Sequence, residues 1–460
     1  MGIRIQFFGA TEQVTGSLHI IRTPAHTVLL ECGLVQGSRE EEHCNQLPFP
    51  LPIDEIDAVI LSHAHIDHSG RVPLLVKRGY EGPIYAQRAT QALCAIMLPD
   101  SGYLNEQEAQ RYNRKRDRDQ APMEAMYTRQ DAEDCMRLFR GVRYGESVEV
   151  VPGLTLRLHD AGHILGSSIV ELNYRDQGQS RCLVFSGDLG YREAPVMNAP
   201  ERIRHADAVL LESTYGDRLH RPFAETLEEL GNVFHAARAS HGNVLIPAFT
   251  VGRTQDLLYL MAENFEKWRL DEWQIYLDSP MGIEATETYS EYRHLYGARL
   301  FGPDSHLLKL PNFHASRSSD ESIAINQIKS GAIIIAGSGM CSGGRIQHHL
   351  KNNISRPECH LVIVGFQAHG TLGRRIVDGA DVIKLWDVEH RVRIQLHTVG
   401  GLSAHADQAD LVDWYGAFEN RPPLYLVHGE PYAQQALASK IESQFDAPVT
   451  IARHGQVVDI

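Results

Sequence analysis

Residues 63–68 read HAHIDH and place four candidate metal ligands within six positions. The apolar residues 58–61 precede this run and predict a buried strand that delivers it on the following loop. We expect a non-helical turn, with the first two ligands facing one metal ion and the last two facing a second. These ligands are His63, His65, Asp67 and His68. The run therefore predicts a two-metal hydrolase.

Two further loops supply more candidate ligands. Residues 160–163 read DAGH, and residues 186–190 read SGDLG directly after an apolar run. His163 is the candidate in the first loop, and Asp188 in the second can bridge two ions. Because imidazole ligands dominate, zinc is favoured over magnesium.

Length and composition are those of a folded enzyme. A chain of 460 residues predicts two lobes, and 43% hydrophobic with 22% charged residues is ordinary for a globular protein. Seven scattered cysteines without a CxxC pair argue against disulfides and a thiolate zinc site.

Without a signal peptide or a long apolar run, we expect a cytoplasmic protein that does not contact membranes. The net charge of -14 disfavours nucleic acid, but two divalent ions would add local positive charge.

The order of apolar runs predicts an inserted domain. The first part of the chain mixes short strands with helical spacing in residues 88–140. From about Pro222, helices alternate with strands such as residues 243–248 and 332–336, which predicts a parallel, doubly wound sheet. After about residue 390 the chain returns to strands and histidine-containing loops, so we expect its end to complete the first lobe.

The ordered set HAHIDHSG, HDAGHILGS and SGD resembles the metallo-β-lactamase superfamily, which implies an αββα sandwich. Further along, ESTYG (212–216), SAHAD (403–407) and VHGE (427–430) resemble the β-CASP branch, which contains RNA-processing and DNA-repair nucleases. The resemblance implies a metallo-β-lactamase domain in residues 1–211 and 391–460. A doubly wound α/β β-CASP domain would be inserted between them, in residues 212–390.

The resemblance also implies the roles of individual residues. Two zinc ions would generate a hydroxide that attacks an RNA phosphodiester, leaving a 5′-phosphate and a 3′-hydroxyl. His405 would protonate the leaving oxygen, and Glu212 would hold the imidazole ring. His428 would bind the second zinc ion, and histidine at this position is typical of the RNA enzymes of the branch. The predicted metal ligands are His63, His65, Asp67, His68, His163, Asp188 and His428, and the predicted catalytic residues are His405, Glu212 and Asp67.

Glycine-rich turns and arginines are candidates for phosphate contacts away from the metal ions. The alternative, that the glycines form simple turns and the arginines are solvated, stays open. The candidates are Ser338, Gly339, Gly343, Gly344, Arg253, Arg345 and Arg374.

Two positions depart from the family pattern. Glu31 stands where aspartate is usual, and His369 stands where glutamate is common. Neither is a direct ligand in the implied pattern, so we expect Glu31→Asp to leave the zinc content unchanged and to alter the rate less than about tenfold.

The preferred function is a zinc-dependent endoribonuclease with RNA as its partner, and a homodimer or an RNA-processing complex stays open. The enzyme alternatives are hydrolysis of small esters or thioesters, cleavage of DNA, and 5′–3′ exonuclease action on RNA. A silent RNA-binding scaffold is the non-enzyme alternative. The complete ligand set argues against the scaffold.

Overall fold

The computed structural model describes residues 2–37, 39–116, 121–176, 178–296, 310–368 and 370–460, so that His369 lies outside it. The chain divides into two compact units. Unit 1 contains Met1–Arg192, Asn198–Leu219 and His405–Ile460. Unit 2 contains Glu193–Met197 and His220–Ala404.

The strands of the described residues are β1 (Arg4–Phe7), β2 (His19–Arg22), β3 (Thr27–Leu30), β4 (Ala58–Ile60), β5 (Ile84–Gln87), β6 (Phe139–Val142), β7 (Ser147–Val151), β8 (Leu154–Asp160), β9 (Ser168–Asp176), β10 (Gln179–Phe185), β11 (Ala208–Glu212), β12 (Val244–Pro247), β13 (Gln274–Leu277), β14 (Phe313–Ala315), β15 (Ala332–Ala336), β16 (His360–Ile363), β17 (Val382–Leu385), β18 (Val388–Arg391), β19 (Gln395–Thr398), β20 (Leu424–Val427), β21 (Val449–Ile451) and β22 (Val457–Asp459).

The α-helices of the same residues are α1 (Arg39–Glu42), α2 (Ile66–Ser69), α3 (Val72–Lys77), α4 (Arg88–Lys115), α5 (Arg129–Cys135), α6 (Phe223–Ala239), α7 (Arg253–Glu263), α8 (Pro280–Glu291), α9 (Ser319–Ile325), α10 (Ile346–Asn353), α11 (Leu372–Val377), α12 (Gln408–Gly416) and α13 (Pro431–Phe445). None of these helices combines the length and apolar composition that a membrane span requires.

Two seven-stranded sheets form the centre of unit 1. The first has the order β22-β1-β2-β3-β4-β5-β6, and the second has the order β21-β20-β11-β10-β9-β8-β7. Phe7 and Leu30 from the first sheet and Leu158 and Phe185 from the second belong to one buried apolar cluster. The two sheets therefore pack face to face through their apolar surfaces.

Helices cover the outer faces of these sheets. Leu411 and Tyr415 of α12 and Ile441 of α13 share a second buried cluster with Val209 and Leu426 of the second sheet. Helix α4 contacts β5 and β6 of the first sheet. The order of layers is helix, sheet, sheet and helix, which confirms the predicted αββα sandwich.

Unit 2 is built on a six-stranded parallel sheet with the order β14-β13-β15-β12-β16-β19. Its central strands β12 and β15 are buried along their whole length, so they read as continuous apolar runs. After β12, the strands β13 and β15 lie on one side of β12 and β16 lies on the other, and helices connect these strands along the chain. This arrangement confirms the predicted doubly wound α/β domain.

The predicted site residues of unit 1 follow the carboxyl ends of its strands. β11 pairs in parallel with β10 on one side and β20 on the other. Asp188 follows β10, Glu212 ends β11, and His428 follows β20. Parallel neighbours end at the same edge of a sheet, so these three residues come together there although they are far apart in sequence.

Candidate metal centre

Residues 63–68 run from the end of β4 into helix α2. Asp67 and His68 lie within this helix, so the expectation of a wholly non-helical turn is wrong for the second half of the run. The reason is that the carbonyl of His65 accepts hydrogen bonds from the amides of His68 and Ser69, at 3.0 and 2.9 Å, which closes one helical turn. The turn places the last two candidate ligands beside the first two.

The first group of candidate ligands contains three histidines and one carboxylate. His65 Nδ1 lies 3.1 Å from His63 Nε2 and 3.2 Å from His163 Nε2. Asp188 Oδ2 lies 3.5 Å from His63 Nε2 and 3.7 Å from His163 Nε2. Their ligand atoms all lie within 4.8 Å of one another, so these four side chains could hold one metal ion.

The second group lies beside the first. His68 Nε2 and His428 Nε2 are 3.1 Å apart, and Asp67 Oδ2 lies 3.5 Å from His428 Nε2. Asp188 reaches this group too, because its Oδ2 lies 3.3 Å from His68 Nε2. The structure thus brings all seven predicted ligands together, with Asp188 between the two groups.

Hydrogen bonds behind two of the rings determine which nitrogen faces the cluster. Ser62 Oγ donates to Glu31 Oε2 at 2.9 Å, so it accepts from His63 Nδ1, which is also 2.9 Å away. His68 Nδ1 contacts Glu31 Oε2, which can only accept when ionised. In the neutral rings, Nε2 of both His63 and His68 therefore carries a lone pair directed at the neighbouring ligands.

His428 is oriented in the same way. Thr214 Oγ1 donates to the His428 carbonyl at 3.2 Å and accepts from His428 Nδ1 at 3.1 Å. Within the described part of the chain, the buried Asp188 Oδ1 has no hydrogen-bond partner, and its ionic contact is with His428 Nδ1 at 3.5 Å. Converging lone pairs beside a buried oxygen that lacks a hydrogen bond are unfavourable unless a cation lies among them. The nitrogen and oxygen donors fit zinc, with polar partners that orient the imidazoles.

The electrostatics of three of the candidate ligands agree with this fit. Burial lowers the pKa of His63 well below its ordinary value and lowers that of His65 to about 4. Burial acts to raise the pKa of Asp188, but the surrounding histidines outweigh it and hold that pKa well below its usual range. Neutral imidazole and ionised carboxylate are the forms that bind metal ions. At His68, by contrast, burial acts to lower the pKa but the neighbouring carboxylates outweigh it and raise the pKa well above its ordinary value, so metal binding has to displace a proton from this ring.

His405 and Glu212 form a third feature at the same edge. His405 Nδ1 lies 3.2 Å from Glu212 Oε1 and 4.0 Å from Asp188 Oδ2. The fully buried Glu212 also accepts from the Leu189 amide at 2.7 Å, which holds its carboxylate in place. Burial acts to lower the pKa of His405, but the carboxylates of Glu212, Asp188 and Asp67 together outweigh it and raise this pKa to about 9.

The candidate phosphate contacts lie in unit 2. Ser338, Gly339, Gly343 and Gly344 belong to the turn after β15. This turn is closed by a hydrogen bond from the Gly343 amide to Ser338 Oγ at 3.2 Å and one from the Ser338 amide to the Gly343 carbonyl at 3.2 Å. A role in phosphate binding stays a prediction.

The three candidate arginines are each paired with an aspartate. The pairs are Arg345 with Asp278 at 2.6 Å, Arg253 with Asp256 at 3.3 Å, and Arg374 with Asp378 at 2.7 Å. Arg253 is also buried, whereas the Arg374 side chain is 43% exposed. Their contact with phosphate stays a prediction as well.

Sequence reasoning assigned no role to Ser62 or Thr214, whereas for Glu31 it expected an effect on the orientation of the metal-binding loop. The structure places all three directly behind metal-facing histidines. Their position in the sequence could have indicated a role for two of them, because Ser62 directly precedes His63 and Thr214 lies two residues after Glu212.

Three family profiles match the chain. They are a metallo-beta-lactamase superfamily domain at residues 20–183, a Beta-Casp domain at residues 254–376 and a Zn-dependent metallo-hydrolase RNA specificity domain at residues 389–452. In fold, the chain is also similar over its whole length to the crystal structure of a protein of unknown function from Enterococcus faecalis V583, with a TM-score of 0.56 and 12% identity.

Curated relatives are similar over nearly the whole chain. Ribonuclease TTHA0252 from Thermus thermophilus is 37% identical, and the match covers 100% of both chains. Transcription termination factor FttA from Methanothermobacter thermautotrophicus is 31% identical over 95% of this chain and 69% of its own. The chain therefore belongs to the β-CASP ribonuclease family of the metallo-β-lactamase superfamily and is a metal-dependent hydrolase.

Proposed function

We propose that this protein is a two-zinc ribonuclease that cuts RNA internally and leaves a 5′-phosphate and a 3′-hydroxyl. The observation that carries the proposal is the position of Asp188, which lies within reach of both groups of candidate ligands. A carboxylate shared by two such groups is suited to holding two ions close together, as two-metal phosphodiesterases do.

The two groups would each hold one ion. His63, His65, His163 and Asp188 form the first ligand set, and Asp67, His68, His428 and Asp188 form the second. Bound zinc lowers the pKa of water toward neutrality and offsets the negative charge of phosphate oxygens. Glu31, Ser62 and Thr214 keep the rings in the orientation that binding needs.

His405 supplies the proton for the leaving group. Its Nδ1 faces Glu212, so its Nε2 is the atom that can donate to the 3′-oxygen of the departing strand. Glu212 orients the ring and acts to raise the pKa of His405, which favours the protonated form that can donate. Proton transfer from a positioned side chain contributes about 100- to 10,000-fold to a rate.

RNA is the proposed substrate for two reasons. A relative that matches from end to end is named a ribonuclease, and residues 389–452 match an RNA specificity domain. His428 lies within that region and points into the second ligand group. A small ester would need neither feature, which makes the ester alternative weaker.

Circular RNA tests the proposal directly. Incubated with the zinc-loaded protein, a circular RNA without ends should become linear, with a 5′-phosphate and a 3′-hydroxyl at the new termini. A 5′-labelled linear RNA run beside it should give internal fragments. An intact circle together with stepwise loss from the 5′ end would identify an exonuclease, and equal cleavage of circular single-stranded DNA would remove the preference for RNA.

Two variants separate metal binding from proton donation. His405→Ala should retain two zinc ions per chain and lose about 100- to 10,000-fold in cleavage rate. His63→Ala should lose metal as well as activity, because it removes a ligand. Metal analysis of each purified variant beside its RNA cleavage rate makes the distinction. Cleavage by His405→Ala at the wild-type rate would show that His405 is not the acid.

A further inference from the structure

Unit 1 presents two tyrosines and one arginine beside His405, here called the Tyr–Arg cluster: Tyr215, Arg218 and Tyr432. The ring centroids of Tyr215 and His405 are 6.2 Å apart, with the rings inclined by 53°. The guanidinium of Arg218 lies over the Tyr215 ring, 5.4 Å from its centroid. Arg218 Nη2 donates to Tyr432 Oη at 3.4 Å. The contacts are therefore continuous from His405 to Tyr432.

The loop that carries Tyr215 and Arg218 is held by hydrogen bonds to the helix that follows His405. The Gln408 amide donates to the Arg218 carbonyl at 3.0 Å, and Gln408 Nε2 donates to the Gly216 carbonyl at 2.6 Å. Asp217 accepts from Arg218 Nε at 2.9 Å and orients the guanidinium. Because Gln408 begins α12 three residues after His405, Tyr215, Arg218 and His405 are held in one arrangement.

The outer part of the cluster is accessible to solvent. Tyr432 is 58% exposed, and the Arg218 side chain is 47% exposed. Of the five guanidinium donors, the bonds to Asp217 and Tyr432 use two among the described residues, so the others are available. An accessible aromatic ring beside an available guanidinium offers what a nucleotide needs, a surface for its base and a donor for its phosphate.

We propose that the Tyr–Arg cluster binds the nucleotide on the 5′ side of the cut. This inference rests on the proposed function, in which His405 protonates the 3′-oxygen of that nucleotide. Tyr215 contacts His405, so a nucleotide that brings its 3′-oxygen to His405 has its base and phosphate beside the cluster. The base stacks on Tyr432, Arg218 contacts a phosphate, and Tyr215 is a positioning residue that supports both Arg218 and His405. Because every base has a π-face, this subsite fixes position without reading sequence.

An abasic scan locates the subsite. A set of RNAs, each with one abasic position, is cut by the zinc-loaded wild-type protein, and the rate is measured at each bond. The bond directly 3′ of the abasic position should be cut about tenfold or more slowly, since stacking is lost there. In Tyr432→Ala the same abasic position should make no further difference. If the wild-type protein cut only the bond 5′ of the abasic position more slowly, the subsite would bind the nucleotide on the 3′ side of the cut, and the proposal would be wrong.

Variants test the cluster against a substrate without a base. Tyr432→Ala and Arg218→Ala should each lower kcat/KM for RNA about tenfold or more. On an RNA that is abasic at the position 5′ of the cut, Tyr432→Ala should cut within about twofold of the wild-type rate, because no base is left to stack there. Tyr432→Phe retains the ring and should retain most RNA cleavage. Tyr103 on α4 is exposed to a similar extent, at 47%, and Tyr103→Ala is the matched control that should change neither rate.

The outcomes separate this inference from the proposed function. A wild-type protein that does not cleave RNA would end the proposed function itself. A wild-type protein that cleaves RNA, with unchanged cleavage in Tyr432→Ala and Arg218→Ala, would overturn only the subsite. Equal losses in Tyr432→Ala on intact and on abasic RNA would show that the cluster merely supports the fold around His405.

Discussion

Each unit contains a buried cluster of histidine and carboxylate side chains, and the two differ in how their polar atoms are paired. In unit 2, Asp278 Oδ2 accepts hydrogen bonds from Ser322 Oγ at 2.6 Å and His349 Nε2 at 2.7 Å. Asp278 Oδ1 accepts from Arg345 Nη1 at 2.6 Å. The second nitrogen of His349 lies 3.0 Å from Asn326 Oδ1. Each of these carboxylate and imidazole atoms has a protein partner.

In unit 1, the corresponding atoms converge on one another instead. His68 Nε2 faces His428 Nε2 at 3.1 Å, and within the described residues Asp188 Oδ1 has no hydrogen-bond partner. A fully paired network stabilises the fold and offers no vacant ligand atoms. A cluster whose lone pairs converge needs a cation, and this difference in pairing distinguishes a metal centre from a structural network of the same composition.

The largest effect is expected at the carboxylate shared by the two ligand groups. Asp188→Asn should lose zinc and reduce RNA cleavage by at least about 1,000-fold, because bound metal supplies several kcal/mol of transition-state stabilisation. Zinc content and cleavage rate are measured on the same preparation. The matched control is Asp278→Asn in unit 2, which should keep the zinc of the wild type. Loss of zinc in both variants would end the distinction between the clusters.

Asp278→Asn should instead lower the free energy of unfolding. Removing one partner of a buried ion pair leaves the other charge uncompensated, which costs about 3 kcal/mol. Arg345 loses its ionic partner here and keeps only its hydrogen bonds to the Ser316 and Arg317 carbonyls. Urea denaturation of the variant and of the wild type measures the change. Equal stability of the two proteins would mean that the paired network does not hold unit 2 together.

An intermediate effect is expected behind the metal-facing rings. Glu31→Gln removes the charge that accepts from His68 Nδ1, and we expect zinc affinity to fall about 10- to 100-fold. Glu31→Asp keeps the charge, so zinc content should be unchanged and the rate should alter less than about tenfold. Competition with a chelator measures the affinity of each variant. Metal loss in Glu31→Asp would contradict the expectation.

The smallest effect concerns a partly exposed cluster of the same kind. His159 Nε2 lies 2.6 Å from Glu171 and His159 Nδ1 lies 3.3 Å from Glu201. Burial acts to lower the pKa of His159, but the two carboxylates outweigh it and raise this pKa to about 9. Since the folded pKa exceeds the unfolded one, the stabilisation is complete below the ordinary histidine pKa and disappears as pH rises through about 9.

His159→Gln should therefore be less stable than the wild type by about 1–2 kcal/mol near about pH 6 and nearly equal to it near about pH 10. Unfolding measured at both pH values tests the sign of the effect. A difference of the same size at both would show that packing, rather than charge, explains the contribution of His159.

Local sequence patterns predicted the strands that carry the candidate ligands and the metal-binding run itself. The apolar runs before residues 63–68 and before Asp188 identify buried strands whose ends carry polar side chains, and both strands are present as β4 and β10. The spacing within residues 63–68 is dense enough to indicate metal binding by itself. Helix α2 was not predicted, because its turn depends on hydrogen bonds to one carbonyl rather than on periodicity.

Pairings between distant residues could not be predicted from such patterns. Arg345 reads as a solvated cation until the fold places it against Asp278, 67 positions away. Arg218 and Tyr432 meet across 214 positions, and Thr214 meets His428 across the same separation. These contacts depend on which strands pair, and the local sequence contains little information about that choice.

The sequence alone determined the kind of chemistry, since six residues with three imidazoles and a carboxylate favour binding of divalent metal ions wherever they fold. Only the tertiary structure decided how that chemistry is completed. By pairing β11 in parallel with β10 and β20, it brought Asp188, Glu212 and His428 to one edge. The physical reason is that ligand type is a property of single side chains, whereas ligand geometry and pairing are properties of the chain once it is packed.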